Sequence, residues 1–265
     1  MSATGEQHVP AEVRQSRIRA LLATQEFVRV ADLATAFGTS EVTIRNDLVS
    51  LEAAGHLRRV HGGAVPRIVH RVEQPFDDTH PDSVGRHTPI GRRAAALVQP
   101  GDTVILDVGT TTTAVAKALV ARDDLADVVV FTNGLNIALE LEAAHPRFTI
   151  VVTGGTVRPM QHSLVNPLAD VLLGSIKANL AIIGCNGVDV AGGITNVNLP
   201  EAEIKARMLA AVRRRVVVAD SSKLGQVELA RVCPIADIDV LVTDATADAQ
   251  QLDALRGAGL EVLVA

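Results

Sequence analysis

Tryptophan and tyrosine are absent from the 265 residues, and phenylalanine occurs only five times. Reading single strands or flipped bases by ring stacking needs aromatic platforms, so this composition speaks against that mode of recognition. Cysteine is nearly as scarce. Cys185 and Cys233 lie far apart without a metal-ligand spacing, and are expected as buried, reduced thiols. The eight histidines form no HxH or HExxH cluster, so no metal and no other cofactor is expected. No apolar run reaches the length needed to cross a bilayer, and the N-terminus lacks a signal-peptide pattern. A cytoplasmic protein with no membrane partner is the expectation.

What is present begins with residues 39–51. Ile44, Leu48 and Leu51 repeat at i, i+4 and i+7, one apolar stripe of a helix. Ser40 suits its N-cap, and Thr43, Arg45 and Asn46 point away from the stripe near the helix start. That end is the one a recognition helix presses into a major groove. Upstream, residues 13–24 predict a first helix carrying Ile18, Leu21 and Leu22, and residues 30–37 a second carrying Leu33, Ala34 and Phe37. Gly38 supplies the turn between the second helix and the third, and Gly55 the stop after the third. Residues 56–65 then predict two short extended stretches around a basic, glycine-rich turn, a β-wing placing Arg58, Arg59 and His61 along a phosphate backbone. The order describes a winged helix-turn-helix that binds double-stranded operator DNA.

The stretch from Arg14 to Val65 resembles the DeoR-type bacterial repressors. Their TIRRDL-like helix and R-x-HGGA wing stand here as Thr43-Ile44-Arg45-Asn46-Asp47-Leu48 and Arg59-Val60-His61-Gly62-Gly63-Ala64. Asn46 replaces the more usual second arginine. Asparagine pairs bidentately with adenine where arginine favours guanine, so operator sequence does not transfer from relatives. Thr39 stands where the family often has valine.

Charge divides the chain. Residues 1–72 hold nine Arg and no Lys against seven acids, a net of +2, and the remainder holds 16 bases against 23 acids, a net of −7. An acidic body repels DNA, which leaves binding to the recognition helix and wing, helped by assembly into a homo-oligomer, a dimer or tetramer. The expected boundaries are 1–65 for the winged helix-turn-helix, 66–87 for a proline-containing linker, and 88–265 for a second domain.

That second domain alternates short β-branched runs with helices. Strands are expected at 104–108, 128–131, 149–152, 180–183, 216–219, 240–242 and 262–264, the pattern of a mainly parallel α/β sheet covered on both faces. Ligands of such sheets gather at the carboxyl ends of the strands. Asp107 and Gly109-Thr110-Thr111-Thr112 follow the first strand, Thr132-Asn133 the second, and Gly154-Gly155 the third. Glycine allows close backbone approach, while helix-start N–H groups and threonine hydroxyls can cradle a phosphate. Lys205 and Lys223 are candidates to add positive charge.

These blocks also match the sensor domain of the DeoR-type family. The resemblance implies a fold similar to ribose-5-phosphate isomerase, reused to sense a phosphorylated sugar. Asn166-Pro167 and Asn179 depart from the family pattern, where a glycine and an aspartate are common. Isomerases of this kind use a lysine-containing glycine-rich segment followed by a glutamate. Residues 190–194 contain no lysine, and Glu203 alone remains as a conceivable base. The expectation is a non-enzymatic repressor of carbohydrate-metabolism genes, released by a phosphorylated sugar or polyol. The sequence leaves open an activator of the same architecture and a residual isomerase.

Overall fold

The computed structural model describes residues 10–24, 27–53, 57–60, 62–66 and 81–265. It divides into two compact units, Met1–Val69 and His70–Ala265.

In the first unit, α1 (Ala11–Thr24), β1 (Val28–Arg29), α2 (Val30–Phe37), α3 (Glu41–Ala53), β2 (Leu57–Val60) and β3 (Gly63–Pro66) follow in order. The core is Ile18 and Leu22 of α1, Leu33 and Ala34 of α2, and Ile44, Leu48 and Leu51 of α3, closed by Val28, Val30, Leu57 and Ala64. Gly38 ends α2 in the left-handed region (φ 60°), its N–H reaching back to the Ala34 and Thr35 carbonyls. β2 and β3 pair antiparallel and β1 joins the outer side of β3, in the order β1-β3-β2. Gly62 turns the hairpin at φ 79°. Gly63 lies so close to β1 that a Cβ would sit 2.1 Å from the Val28 carbonyl oxygen. The expected glycine stop at Gly55 and the wing-tip His61 lie outside the described residues.

In the second unit, residues 81–95 form α4 (Pro81–Ala95), so the last part of the expected 66–87 linker is helix. Residues 67–80 of that linker lie outside the described residues. Three prolines, Pro66, Pro75 and Pro81, with mixed charge and little periodicity made the stretch read as linker. A proline is well placed at a helix start, where its missing N–H would be unpaired anyway. Ile90, Ala94 and Ala95 then give α4 a buried face strong enough to hold the helix through Pro89.

The remaining elements are β4 (Thr103–Leu106), α5 (Thr110–Val120), β5 (Val128–Thr132), α6 (Leu135–Glu142), β6 (Phe148–Val152), a hairpin of β7 (Thr156–Arg158) and β8 (Ser163–Val165), α7 (Leu168–Gly174) and β9 (Ala178–Gly184). After them come β10 (Gly187–Asp189), β11 (Gly193–Asn196), α8 (Leu199–Ala210), β12 (Val212–Val218), β13 (Ala230–Cys233), β14 (Val240–Thr243), α9 (Ala249–Gly257) and β15 (Glu261–Val264). Seven strands form one sheet in the order β15-β14-β12-β9-β4-β5-β6, every neighbouring pair parallel. All seven expected strands are in it. The period-two alternation of a strand sorts its side chains between two cores. Val104, Leu106, Leu180, Ile182, Val216 and Val218 pack with α4, α5 and α6 on one face. Ile105, Ala181, Ile183, Val217 and Leu241 pack with α7, α8 and α9 on the other, beneath a small antiparallel sheet β10-β11-β13. Asn179 accepts a hydrogen bond from the Thr103 N–H (2.8 Å), so this departure from the family pattern fastens the start of β4. Among the described residues, no helix is long and apolar enough to cross a membrane.

The connectivity singles out one place. From β4 the chain runs outward through β5 and β6, then returns to lay β9 on the other side of β4 and runs outward through β12, β14 and β15. The strand order therefore reverses between β4 and β9. A crevice opens at the carboxyl ends of the strands at such a switch point, because the flanking connections leave in opposite directions.

Candidate nucleic-acid interface and effector site

Helix α3 begins with a cap. The Ser40 hydroxyl accepts from the Thr43 N–H (3.1 Å) and lies 2.9 Å from the Thr43 hydroxyl. Two residues expected to touch DNA are thus engaged in starting the helix. Arg45 and Asn46 are exposed as expected, and Arg45 pairs with Glu41 one turn earlier. Asp47, inside the same motif, is buried. It pairs with the equally buried Arg14 of α1, whose Nη2 donates to Asp47 Oδ1 at 3.0 Å, and Gln15 Nε2 donates to the same oxygen at 3.1 Å. An aspartate in a recognition motif carries no mark in sequence that its partner lies 33 residues upstream. On the wing, Arg59 is exposed, and its backbone N–H and Nε both donate to Glu52 of α3, at 2.9 and 2.7 Å. Helix and wing are fastened through that carboxylate. Arg58 lies on β2, paired with Val65.

In the second unit, Asp107 stands at the switch point. It is fully buried and forms an ion pair with Lys205 of α8, itself buried. Its Oδ2 also accepts from the Gly184 N–H (3.1 Å), at the end of β9, while Oδ1 has no hydrogen-bond partner. Burial pushes the Asp107 carboxyl up against the opposing pull of Lys205. Burial works against the Lys205 ammonium too, but the Asp107 and Glu201 carboxylates outweigh it and hold Lys205 charged above the ordinary lysine range.

Glu201 lies one helical turn before Lys205 and is also buried. Its Oε1 accepts from Arg158 Nη1 (2.7 Å) and the Ser163 hydroxyl (2.8 Å), both on the β7–β8 hairpin. Asn198 caps α8 by accepting from the Glu201 N–H (2.9 Å) and also accepts from Arg158 Nη1 (3.1 Å). Charges of alternating sign therefore run from Arg158 through Glu201 and Lys205 to Asp107.

Gly109 precedes α5 at φ 140°, and no side chain caps the helix. Thr112 and Thr113 turn their hydroxyls back onto the Gly109 carbonyl, at 3.0 and 2.7 Å. Thr110 and Thr111, half-buried, are not so engaged. Gly184 lies close by: a Cβ there would be 3.9 Å from the Thr112 Cγ2 and 4.0 Å from Asp107 Oδ2. Asp107, Thr112, Gly184 and Lys205 thus converge.

Thr132, Asn133, Gly154 and Gly155 are engaged in holding the fold around them. Thr132 Oγ1 accepts from the Gly134 N–H (3.0 Å). Asn133 Oδ1 accepts from the Val108 N–H (3.0 Å), and its Nδ2 donates to the Leu164 carbonyl (3.4 Å). Gly154 and Gly155 take φ of 70° and 122°. At Gly155 a Cβ would sit 2.0 Å from the Val165 carbonyl oxygen, so that glycine is required for the hairpin to approach.

Lys223 ends a short 3-10 turn, Ser221–Lys223, after β12. It and Lys205 both act electrostatically on Cys185, the residue after β9, whose thiol burial pushes up to about 12. Asp220, opening that turn, accepts from Ser222 N–H (2.9 Å) and lies 3.2 Å from His87 Nε2 of α4. Burial would raise the Asp220 carboxyl, but the His87 and Ser222 hydrogen bonds and the Lys223 charge hold it well below the usual range.

Sequence reasoning missed His87, Arg158, Ser163, Glu201 and Asp220 as members of this neighbourhood. Glu201 and Asp220 stand four and three residues before the candidate lysines Lys205 and Lys223, which was a usable signal. His87 had none, since it fell in an apparent linker. Glu203 is exposed, and faces a separate cleft of about 380 Å³ with Thr156, Val165, Asn166, Leu199 and Pro200. Among the described residues, no three His, Cys, Asp or Glu side chains gather as a metal site.

Comparison with known proteins agrees in both units. Residues 14–67 match the model of the DeoR-like helix-turn-helix domain, and residues 84–245 match that of the DeoR C terminal sensor domain. A putative aga operon transcriptional repressor of Escherichia coli O157:H7 is 33% identical over 99% of this chain and 97% of its own length. The HTH-type transcriptional regulator GlpR of Haloferax volcanii is 34% identical over 96% of this chain and 98% of its own. Among solved structures, ribose 5-phosphate isomerase A from Methanocaldococcus jannaschii shares a partial likeness: 14% identity, 52% of each chain, TM-score 0.38. A helix-turn-helix matched at one end, a sensor domain matched at the other and relatives alike over nearly their full length place this chain in the DeoR family of transcriptional regulators.

Proposed function

We propose that this regulator, which is not an enzyme, represses carbohydrate-metabolism genes and releases its operator when a phosphorylated sugar or polyol enters the switch-point crevice. One observation carries the reading: Asp107 Oδ1, a buried acceptor with no partner, at the meeting of β4, β9 and the uncapped start of α5. A buried carboxylate oxygen left unpaired is costly, and a ligand hydroxyl would satisfy it. The phosphate belongs at the α5 start, where free N–H groups and the hydroxyls of Thr110 and Thr111 favour an anion. Lys205 and Lys223 offset its charge, with Gly109 and Thr112 shaping the cradle and Thr132, Asn133, Gly154 and Gly155 its wall.

Repression fits the printed name of the Escherichia coli relative. In this reading the chain acts as a homo-oligomer, since paired reading heads bind half-sites of fixed spacing, and a ligand that changes their separation weakens the grip.

The test is fluorescence anisotropy of the purified chain on the DNA upstream of its own gene, at fixed salt, with a panel of sugar phosphates. Release by one compound, lost in Thr111→Val while DNA binding persists, is the expected result. A complex that every compound leaves intact, or a Thr111→Val protein with unaltered ligand affinity, sinks the effector half of the proposal.

A further inference from the structure

Four of the side chains that α3 leaves in water fall on one line. Val42, Arg45, Asn46 and Val49 stand at i, i+3, i+4 and i+7, opposite the buried stripe of Ile44, Leu48 and Leu51, and all four are exposed. Two of the four are apolar. Val42 is 63% exposed, the highest value among the large apolar side chains described in the first unit, and it lies in the first turn. Nothing in the fold asks for valine there. It adds no contact to the core cluster, and a β-branched residue is a weaker helix former than the charged residues beside it.

A major groove offers an apolar side chain one apolar feature, the 5-methyl group of thymine. The N-terminal residues of a recognition helix are the ones that reach base edges. We infer that Val42 is a specificity-determining residue of this regulator, contacting a thymine methyl group one helical turn from the base pair read by Asn46. The inference rests on α3 being the helix that enters the groove. The neighbouring chemistry is consistent with it. Asn46 suits adenine, whose partner thymine presents its methyl in the same groove. Arg45 and Glu41 are paired with each other on the helix surface, so neither fills the space over Val42 as an unpaired charge.

The experiment uses the full chain. Preferred duplexes are selected from a random pool, and each thymine of the recovered half-site is replaced in turn by uracil, which removes one methyl and nothing else. At one position the replacement should weaken binding roughly fourfold, the equivalent of one buried methyl at about 0.8 kcal/mol. Val42→Ala should bind the thymine and uracil duplexes equally, while keeping its preference at the positions read by Arg45 and Asn46. Alanine is the better helix former, so loss of folding is not expected at this exposed site. If the half-site is indifferent to uracil throughout, or if Val42→Ala keeps the wild-type response, the assignment of Val42 is overturned and α3 still reads DNA. If the pool yields no preferred sequence, the reading of α3 falls and the assignment with it.

Discussion

Asp107 and Lys205, 98 residues apart in the chain, neutralise each other at the centre of the second unit and leave one carboxylate oxygen unpartnered. Removing either partner strands a buried charge, which costs far more than the pair contributes. Asp107→Ala and Lys205→Met should each lower stability by about 3–5 kcal/mol, and the double variant should recover much of it. Urea unfolding of the four proteins gives the coupling directly. Additive losses would mean that the two groups are solvated separately and that the crevice is wetter than its burial implies.

Asp47 belongs to the recognition motif but faces the core, where it holds Arg14 of α1. Asp47→Ala is therefore expected to act on folding and not on base choice. The first unit should lose about 3–5 kcal/mol, the range for an orphaned buried charge. Binding should fall in proportion to the unfolded fraction, with the ranking of DNA sequences unchanged. A fully folded variant with an altered ranking would place Asp47 at the DNA.

Arg45 and Arg59 should separate base reading from backbone contact. Arg45→Ala should cost roughly 1–3 kcal/mol on preferred DNA and relax selection at one base pair. Arg59→Ala should weaken all sequences alike and reduce the salt slope by about one. Glu41 tempers Arg45 across one helical turn. Glu41→Gln removes a negative charge from the helix face proposed to meet DNA, so binding to random DNA should rise more than binding to preferred DNA. Salt titrations on a preferred and a random duplex measure all three, and an Arg45→Ala protein with unchanged preference would move the reading elsewhere on the fold.

The parts of this fold legible in sequence are those where a single local rule acts alone. Continuous runs such as Val128 to Phe131 and Val216 to Ala219 have no plausible place except the interior of a parallel sheet, and all seven strands follow from that rule. The stripe of Ile44, Leu48 and Leu51 likewise fixes which side of α3 is inside. Where two rules compete, the local one misleads. Pro75 and Pro81, with mixed charge, argue for a linker, yet the buried face of Ile90, Ala94 and Ala95 wins and makes α4. The β7–β8 hairpin and the β10-β11-β13 sheet have strands of three or four residues, too short for a period to register. The site divides in the same way. Asp107 and the threonines follow a strand end and could be named from sequence. The pairs near Asp107 that sequence did not show, Arg158 with Glu201 and His87 with Asp220, are set by a topology that brings distant segments together.

Asp220 sets an acid limit on the second unit. Its carboxyl is held below the usual range in the folded chain by His87, Ser222 and Lys223, despite its burial, whereas in the unfolded chain it titrates at about 3.9. A group whose folded pKa is depressed contributes its full stability above the unfolded value and loses it as pH falls through the folded one. The unfolding midpoint in urea should therefore decline as pH drops below about 4, and Asp220→Asn should flatten that decline while lowering the plateau at neutral pH. Asp244, whose carboxyl is also lowered, by Thr246 and Ser221 against its desolvation, accounts for part of what remains. His87→Gln discriminates further, because it removes one of the bonds that depress Asp220 and leaves the carboxylate in place. Its acid decline should begin at higher pH than that of Asp220→Asn. Identical acid limbs for wild type and Asp220→Asn would show that this carboxylate titrates as it does in the unfolded chain, and that the contact between α4 and the turn after β12 carries no electrostatic weight.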